Sequence, residues 1–256
     1  MSELPTVLDE LARSAKLRAE ELKRSTDLEE LRKKALRFPK RDFTGALASP
    51  GLSVISEIKR ASPSAGFIRE ADPREQAKLY ASEGAACLSV LTEPERFKGS
   101  LDDLDAARNS VGVPVIRKDF TVDEVQVLEA ATRADAVLLI VALFETKTLA
   151  RYIELAGEVG LTALVEVHDE REAEVALQAG AKVIGVNNRD LRDFTVDLAT
   201  FERLSPMLEG KVRVAESGVK SVEDARRMRA AGADAVLVGE SAMREPGLVK
   251  AISSVR

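Results

Sequence analysis

The sequence holds few of the residues that build disulfides, metal sites or membrane spans. Its 256 residues include one cysteine, one histidine and no tryptophan. A single cysteine excludes a disulfide framework and a zinc site made of several cysteines. The longest apolar run, residues 136–144, has about nine residues, whereas a transmembrane helix needs about 20. With one histidine present, we expect acid and base chemistry to depend on lysine and glutamate instead.

The balance of charged and apolar residues excludes two further classes of protein. Lysine and arginine number 38 against 43 aspartate and glutamate, a net charge of −5, and this acidic balance argues against a general nucleic-acid binder. Apolar residues make up 45% of the chain, which is too many for a disordered protein. The N-terminus carries mixed charge and does not resemble a secretory signal. We therefore expect a cytoplasmic protein that binds neither nucleic acid nor membrane.

Short apolar runs alternate with longer amphipathic segments from about residue 52 onward. The runs are almost continuously apolar, as are the strands of a parallel sheet covered by helices. Between them, apolar residues recur at three- and four-residue spacing, which is typical of a helix with one buried face. The predicted strands are 52–59, 87–92, 113–119, 136–144, 162–168, 183–188, 213–217 and 235–239. The clearest predicted helices are 122–132, 147–157, 170–179 and 222–231.

Eight such units over about 205 residues predict the α/β class and, within it, a (β/α)8 barrel. An open, doubly wound sheet is the alternative, but no G-x-G-x-x-G motif follows the first strand, which weakens its dinucleotide-binding form. We expect residues 1–256 to form one barrel domain, with residues 1–50 as an N-terminal helical extension. Amphipathic patterns at 7–23 and 28–36 predict the helices of this extension. Either it closes the bottom of the barrel, or it covers the active-site mouth.

Charged and polar side chains stand at the carboxyl ends of five predicted strands, where a barrel of this type carries its chemistry. Taken singly, each is explained by a solvated strand end or a structural ion pair. Side chains alternate along a strand, so Glu57 and Lys59 share a face. The convergence of these side chains on one rim predicts an active site. They are Glu57, Lys59, Lys118, Glu166, Asn187, Arg189 and Glu216.

Two glycine-containing turns follow the last two predicted strands and run into helices. Loops at these places commonly bind phosphate through backbone N–H groups at a helix N-terminus, so the sequence predicts a phosphorylated substrate. A carboxylate beside the phosphate would repel it. We therefore expect Glu240 to contribute only its backbone N–H, with the side chain pointing away. The turns are Ser217-Gly218 and Gly239-Glu240-Ser241.

Several motifs, in order along the chain, resemble those of the indole-3-glycerol-phosphate synthase family of tryptophan biosynthesis. The most specific is VISEIKRASPS at 54–64, around the first predicted strand. The others are LTE at 91–93 with Phe97, RKDF at 117–120, LVEVH at 164–168, GVNNRDL at 185–191 and AESG at 215–218. The family also has an N-terminal helical extension. Other phosphate-binding barrels do not share this ordered set of motifs.

The resemblance implies a reaction and a set of roles. 1-(2-Carboxyphenylamino)-1-deoxyribulose 5-phosphate would close its ring, lose CO₂ and water, and become indole-3-glycerol phosphate. Lys118 would be the general acid and Glu166 the general base, assisted by Lys59, with Glu57 orienting the reacting centre. The residues implied to bind the substrate are Ser62, Phe97, Phe120, Leu139, Asn187, Arg189, Leu191, Glu216 and Leu237. With the two turns, the expected phosphate site comprises Lys59, Ser217, Gly218, Gly239, the backbone of Glu240, and Ser241.

The chemistry of this reaction explains the residue types without a metal or cofactor, and we expect neither. An aromatic carbon is a poor nucleophile, so the ketone needs a proton donor beside it. Partial burial among other cations is expected to lower the pKa of Lys118 for this task. The ring nitrogen takes up positive charge, and the iminium accepts the electrons of decarboxylation. We interpret His168 as structural and Cys87 as a core residue, and we expect a monomer acting on a small phosphorylated substrate.

Two other functions are compatible with these residues. Another phosphate-binding barrel enzyme, a sugar-phosphate isomerase or a Schiff-base aldolase, is compatible with two lysines at strand ends. A ligand-binding barrel without catalytic activity is the alternative from a different class of function.

Overall fold

The architecture is a closed barrel of eight parallel strands, seen in a computed structural model that describes residues 6–190 and 194–255. Neighbouring strands in the chain are neighbours in the barrel, and the last strand pairs with the first. The predicted (β/α)8 fold is therefore confirmed. The strands are β1 Ser53–Ile58, β2 Cys87–Leu91, β3 Val115–Lys118, β4 Ala136–Ile140, β5 Thr162–Val167, β6 Val183–Asn187, β7 Val212–Glu216 and β8 Ala235–Val238.

Helices cover the outside of the barrel, and many begin at a side-chain cap. Asp72, Ser100, Asp123, Asp169 and Ser221 each accept a hydrogen bond from a backbone N–H of the first turn that follows, which satisfies donors that the helix itself leaves free. The helices are α1 Val7–Ser25, α2 Leu28–Arg37, α3 Phe43–Leu47, α4 Pro73–Ser82, α5 Leu101–Ser110, α6 Glu124–Ala130, α7 Thr146–Glu158, α8 Glu170–Gln178, α9 Ala199–Leu204, α10 Val222–Ala230, α11 Glu240–Arg244 and α12 Leu248–Ser253.

The core has two layers because side chains alternate along each strand. One buried cluster lies between strands and helices, and a smaller one fills the barrel interior. In β4, for example, Leu138 and Ile140 belong to the interior cluster, whereas Val137 and Leu139 belong to the outer one. The charged side chains Glu57, Lys118, Glu166 and Glu216 all lie near the carboxyl ends of their strands and line the cavity there, so the chemistry is expected at that rim.

The N-terminal extension reaches both ends of the barrel. At the bottom, Phe43 and Leu47 of α3 are fully buried in the interior cluster, and Thr44 is hydrogen-bonded to Thr162 at the start of β5 (3.0 Å). At the mouth, Val7 and Leu11 of α1 line the main cavity. The two interpretations of this segment thus both hold, each for a different part of it. No helix within the described ranges is long and apolar enough to cross a membrane.

Candidate active site

A lysine ammonium lies at the centre of the polar rim. The Nζ atom of Lys118, at the end of β3, is 3.4 Å from Oε2 of Glu166 and 3.6 Å from Oε2 of Glu216. Both carboxylates are buried, at the ends of β5 and β7. The side chain of Lys118 is itself only 15% exposed. Three strands that are remote in sequence thus bring one cation and two carboxyl groups together.

A second ion pair lies beside this centre, on β1. Oε1 of Glu57 is 2.8 Å from Nζ of Lys59, and its Oε2 accepts a hydrogen bond from Ser89 (3.1 Å). Burial opposes the charge on Glu57, but Lys59 and Lys118 outweigh it and hold the pKa of Glu57 below its usual range. Glu57 is therefore a fixed anion between two lysines.

The carboxylate of Glu166 is held on three sides. Its Oε1 accepts a hydrogen bond from Nδ2 of Asn187 (3.1 Å) and lies 3.3 Å from Nε2 of His168, while Oε2 faces Lys118. Burial raises the pKa of Glu166, yet Lys118 and His168 overcome this and hold that pKa well below its usual range. Glu166 is thus ionised and able to accept a proton.

Glu216 is in the opposite state. Burial, together with the negative charges of Glu166 and Glu57, outweighs the attraction of Lys118 and raises the pKa of Glu216 to about 8. Its Oε1 has no hydrogen-bond partner in the described part of the chain. At neutral pH Glu216 is therefore a protonated carboxylic acid, and the two carboxyl groups beside Lys118 differ in charge.

The state of Lys118 corrects one expectation. The sequence suggested a lysine among cations with a lowered pKa. Burial does act in that direction, but Glu166, Glu216 and Glu57, all of which are ionised at the high pH where a lysine titrates, outweigh it and raise the pKa of Lys118 above its usual range. The nearest charged groups are carboxyl groups rather than cations, because β1, β5 and β7 each place a glutamate near Lys118. Lys118 is therefore fully protonated when a substrate arrives.

A cavity of about 650 Å³ opens above these residues, a volume that suits a small-molecule ligand. The predicted residues that line it are Glu57, Lys59, Ser62, Phe97, Lys118, Phe120, Glu166, Asn187, Arg189, Glu216, Ser217, Gly218, Leu237, Gly239, Glu240 and Ser241. Lining residues that the sequence interpretation did not assign to the site include Leu91, Leu138, Ile140 and, from α1, Val7, Leu8 and Leu11. Residue Leu191, also predicted, lies outside the described residues.

The prediction for Leu139 is wrong. This side chain is fully buried in the outer cluster between β4 and the helices, whereas Leu138 and Ile140 face the barrel interior and line the cavity. Alternation along β4 decides this, since a shift of one residue moves a side chain to the other face. Counting from Ala136, which also faces the interior, would have identified the correct pair.

The apolar wall of the cavity is fixed by a buried carboxylate. Glu93 follows β2 and accepts backbone hydrogen bonds from Glu95 (2.8 Å), Arg96 (2.7 Å) and Phe97 (2.9 Å). This bends the loop so that the ring of Phe97 lies 6.3 Å from that of Phe120, centre to centre. The two rings, tilted by 43° to each other, form an apolar part of the cavity wall against which an aromatic group can pack.

The helix α1 is tied to the rim by Asp119, a residue the sequence interpretation quoted but did not assign a role. Its Oδ1 accepts from Arg18 of α1 (2.8 Å), and its Oδ2 accepts from Thr92 (2.6 Å). Because Asp119 directly follows Lys118, this network fixes the end of β3 as well as α1. The two signals for its role were its position after a strand-end lysine and an arginine on the amphipathic first helix.

The two turns predicted to bind phosphate follow β7 and β8, on the other side of the barrel from β3 and Asp119. Ser217 and Gly218 both have left-handed backbone angles (φ 61° and 85°), and α11 begins directly after Gly239. Oε1 of Glu240 accepts from Nε of Arg244, one turn further along α11 (3.1 Å). Among residues 6–190 and 194–255, no group of histidine, cysteine, aspartate and glutamate is arranged to hold a metal ion.

Comparison with known proteins adds independent findings. A family model described as indole-3-glycerol phosphate synthase matches residues 8–255. The indole-3-glycerol phosphate synthase of Parafrankia sp. (strain EAN1pec) is 49% identical over 247 residues, which cover 95% of this chain and 91% of the relative. Those of Mycobacterium tuberculosis (strain ATCC 25618 / H37Rv) and Mycobacteroides abscessus (strain ATCC 19977) are 49% and 48% identical over 239 residues, 92% of this chain and 88% of each relative. The similarity therefore extends over the whole barrel.

Proposed function

The chain belongs to the indole-3-glycerol phosphate synthase family, a family of decarboxylating lyases that act on a small phosphorylated substrate, and we propose that Lys118 is its general acid and Glu166 its general base. The observation that carries this assignment is the pair itself. A protonated lysine and an ionised carboxylate lie 3.4 Å apart at the floor of the cavity. Acid and base are thus present together in the states that the first and last steps need.

The first step is ring closure of 1-(2-carboxyphenylamino)-1-deoxyribulose 5-phosphate. As the aromatic carbon attacks the ketone carbon, Lys118 gives a proton to the ketone oxygen, which becomes a hydroxyl group. The substrate nitrogen becomes an iminium and accepts the electron pair released when the carboxylate leaves as CO₂. The chain itself has only to supply the proton, hold the carboxylate and exclude water from the cavity.

The last step is loss of water. Glu166 takes the carbon-bound proton, Lys59 gives a second proton to the departing hydroxyl group, and the indole ring becomes aromatic. The raised pKa of Lys118 fits this cycle. Glu166, whose Oε2 is 3.4 Å from Nζ of Lys118, can pass the proton that it takes from carbon on to the lysine. Since two protons go to oxygen and one comes from carbon, each turnover takes one further proton from solvent.

The phosphate end is proposed to combine backbone donors with one cation. The first N–H groups of α11, after Gly239, have no partner within the helix. Gly239 is so close to the Glu57–Lys59 pair that a Cβ on it would lie 2.9 Å from Nζ of Lys59. This proximity supports Lys59 as the cation of the proposed phosphate site, where Gly218 and Ser241 also line the cavity.

The remaining polar side chains are proposed to hold the substrate's carboxylate and hydroxyl groups. Ser62, Asn187 and Arg189 line the same cavity as Lys118. Phe97 and Phe120 are proposed to provide the wall for the anthranilate ring, together with Leu237, which also lines the cavity.

The experiment is an assay of indole fluorescence with the synthesised substrate, in which the absence of tryptophan from the chain keeps the background low. Lys118→Met and Glu166→Gln are expected to lose at least 10²-fold in kcat while substrate still binds. Lys182→Met, at an exposed site on the opposite end of the barrel, serves as the control for loss of a lysine. Full activity in both site variants would overturn the assignment. A lysine adduct trapped by borohydride would instead indicate an aldolase.

We further propose that the chain works as a monomer in the cytoplasm. In support, each group placed around Lys118 comes from the same chain, so one copy contains the proposed acid, base and phosphate loop. Sedimentation at working concentration tests the proposal, and an activity that depends on protein concentration would contradict it.

A further inference from the structure

The single histidine of the chain lies between two carboxylates. His168 follows β5, and its side chain is 15% exposed. On one side Nδ1 is 3.0 Å from Oε2 of Glu172, and on the other Nε2 is 3.3 Å from Oε1 of Glu166. The second contact lacks the alignment of a hydrogen bond in the free protein, and Nε2 has no other partner in the described ranges. Contacts of this kind commonly tighten when a substrate binds.

Glu172 fixes the orientation of the imidazole. The same oxygen, Oε2, accepts both the backbone N–H of His168 (2.8 Å) and the contact from Nδ1. Glu172 stands in the first turn of α8, where the helix dipole favours a carboxylate, and its own N–H is bound by the cap residue Asp169 (2.8 Å). Since a carboxylate can only accept, Nδ1 carries a proton, and Nε2 is turned toward Glu166.

The consequence for Glu166 is that its two oxygens have different surroundings. Oε1 is held by Asn187 and faces His168, whereas Oε2 faces Lys118 across a loose 3.4 Å contact. A base needs one free oxygen in a fixed direction, together with a reason to remain ionised in a buried site.

We propose that His168 is a positioning residue: its imidazolium, held by Glu172, fixes Oε1 of Glu166 and leaves Oε2 as the oxygen that takes the carbon-bound proton. This rests on the role of Glu166 given under the proposed function. It also revises the interpretation of His168 as structural only, because a residue that merely binds Glu172 at the start of α8 needs Nδ1 and has no use for Nε2.

The charges around the ring support a cation. The charged groups that contact it are Glu166 on β5 and Glu172 on α8, and Lys118 on β3 faces the far oxygen of Glu166. Burial lowers the pKa of His168, but its contacts with Glu166 and Glu172 outweigh this and raise that pKa to about 10. The imidazole is therefore charged throughout the neutral range.

The test begins with nuclear magnetic resonance of the untagged protein, in which one histidine gives one set of imidazole signals. The ring is expected to be protonated still at pH 8. Glu172→Gln keeps an acceptor oxygen but removes the charge, and Glu166→Gln does the same on the other side. Each is expected to lower the pKa of the imidazole by about one unit or more. Glu170→Gln, which removes an exposed carboxylate of α8 paired with Arg203, is the matched control and leaves the titration unchanged.

Steady-state kinetics then test the effect on catalysis. His168→Ala is expected to lower kcat about tenfold or more, with KM changed less than about twofold, and to move the acid limb of the kcat profile to higher pH by about one unit. His168→Gln keeps an N–H donor near Oε1 and restores part of the rate at pH 8 but not the position of the acid limb.

Three results would overturn the proposal: an imidazole that titrates near 6.5, a pKa of the imidazole that does not respond to Glu166→Gln, or a wild-type kcat and pH profile in His168→Ala. Failure of the proposed function is distinguishable from these, because it would appear as full turnover in Glu166→Gln while the imidazole titration still responded to that variant.

Discussion

Gly185 and Glu216 share one space inside the barrel. Gly185 lies on β6 beside Val214 of β7, two residues before Glu216, and a Cβ placed on it would overlap the carboxylate of Glu216. The absence of a side chain at position 185 is therefore what allows a buried carboxyl group to stand next to Lys118.

Replacing Gly185 by alanine is expected to damage the site more than the fold. The methyl group would push the Glu216 carboxyl group away from its place 3.6 Å from Nζ of Lys118, and so remove a neighbour that positions the proposed acid. We expect kcat to fall at least about tenfold, as for a misplaced group in a preorganised site, and the change is read in the indole fluorescence assay.

Gly157→Ala is the matched control. This glycine lies inside α7 with nothing within 4 Å of the added methyl group, so the change is expected to leave kcat unaltered and to stabilise the protein by about 0.5–1 kcal/mol. A Gly185→Ala variant with wild-type kcat would show that Glu216 has room to move without consequence.

The protonated state of Glu216 predicts a pH dependence of stability. Its pKa is about 8 in the folded protein and about 4.3 in an unfolded chain. Between these values the folded state holds a proton that the unfolded state lacks, so this group's contribution to stability is complete below about pH 4 and is lost as pH rises to 8. From pH 6 to 9 the loss amounts to at most about 3 kcal/mol.

Glu216→Gln removes this contribution, because the amide is neutral at every pH. Urea unfolding followed by circular dichroism at pH 6 and pH 9 should give a free energy of unfolding that changes less with pH in the variant than in the wild type. Equal slopes in both proteins would mean that Glu216 is ionised at neutral pH.

Asp135 joins the extension to the bottom of the barrel. Its buried carboxylate accepts from the backbone N–H groups of Arg41 (2.8 Å) and Val115 (2.9 Å) and from two guanidinium nitrogens of Arg108 (2.8 and 3.2 Å). Asp135→Asn would leave the buried Arg108 without its counter-charge, so we expect the free energy of unfolding to fall by about 3–5 kcal/mol.

The comparison is Asp234→Asn at the same end of the barrel. Asp234 faces Arg213 at 3.8 Å and is 30% exposed, and an asparagine oxygen can still accept the N–H of Arg213 (2.8 Å). Asp234→Asn is expected to lower the free energy of unfolding by less than about 1 kcal/mol. Similar losses for the two variants would show that the burial of Arg108 is not what makes Asp135 important.

The ion pair between Glu240 and Arg244 predicts that replacing Glu240 has little effect on phosphate binding. Because the Glu240 carboxylate is bound to Arg244 along α11, Glu240→Gln is expected to change the inhibition constant of inorganic phosphate less than about threefold. Lys59→Met, in contrast, should weaken inhibition by phosphate about tenfold or more, since it removes a charge-assisted contact. Phosphate that binds much more tightly to Glu240→Gln would show that this side chain faces the ligand.

Much of the fold could be predicted because its signals are local. The eight apolar runs and the helices between them follow from the periodicity of residues that are near each other in sequence, and the strand boundaries differ from the prediction mainly at their ends. The run 136–144 is the clearest difference: the strand ends at Ile140, and residues Val141–Leu143 form a single 3-10 turn. An apolar run alone does not show where a strand bends away from its neighbours.

The sequence also identified most of the candidate site, since strand-end lysines and glutamates are unusual in an otherwise apolar run. Leu139 was placed on the wrong face because register depends on strand pairing. The charge of Lys118 and Glu216 was equally out of reach, because a pKa depends on which charges lie within a few ångströms and on how deeply the group is buried.

By itself, then, the sequence determined the class of fold, the family motifs and the identity of the polar residues, all of which are properties of short segments read in order. Only the tertiary structure decided that Glu166 is ionised while Glu216 is neutral, that Glu172 turns His168 toward the base, and that Gly185 makes room for a carboxyl group. Each of these depends on distances between strands that closure of the barrel brings together, and electrostatic interactions in a buried site are governed by those distances.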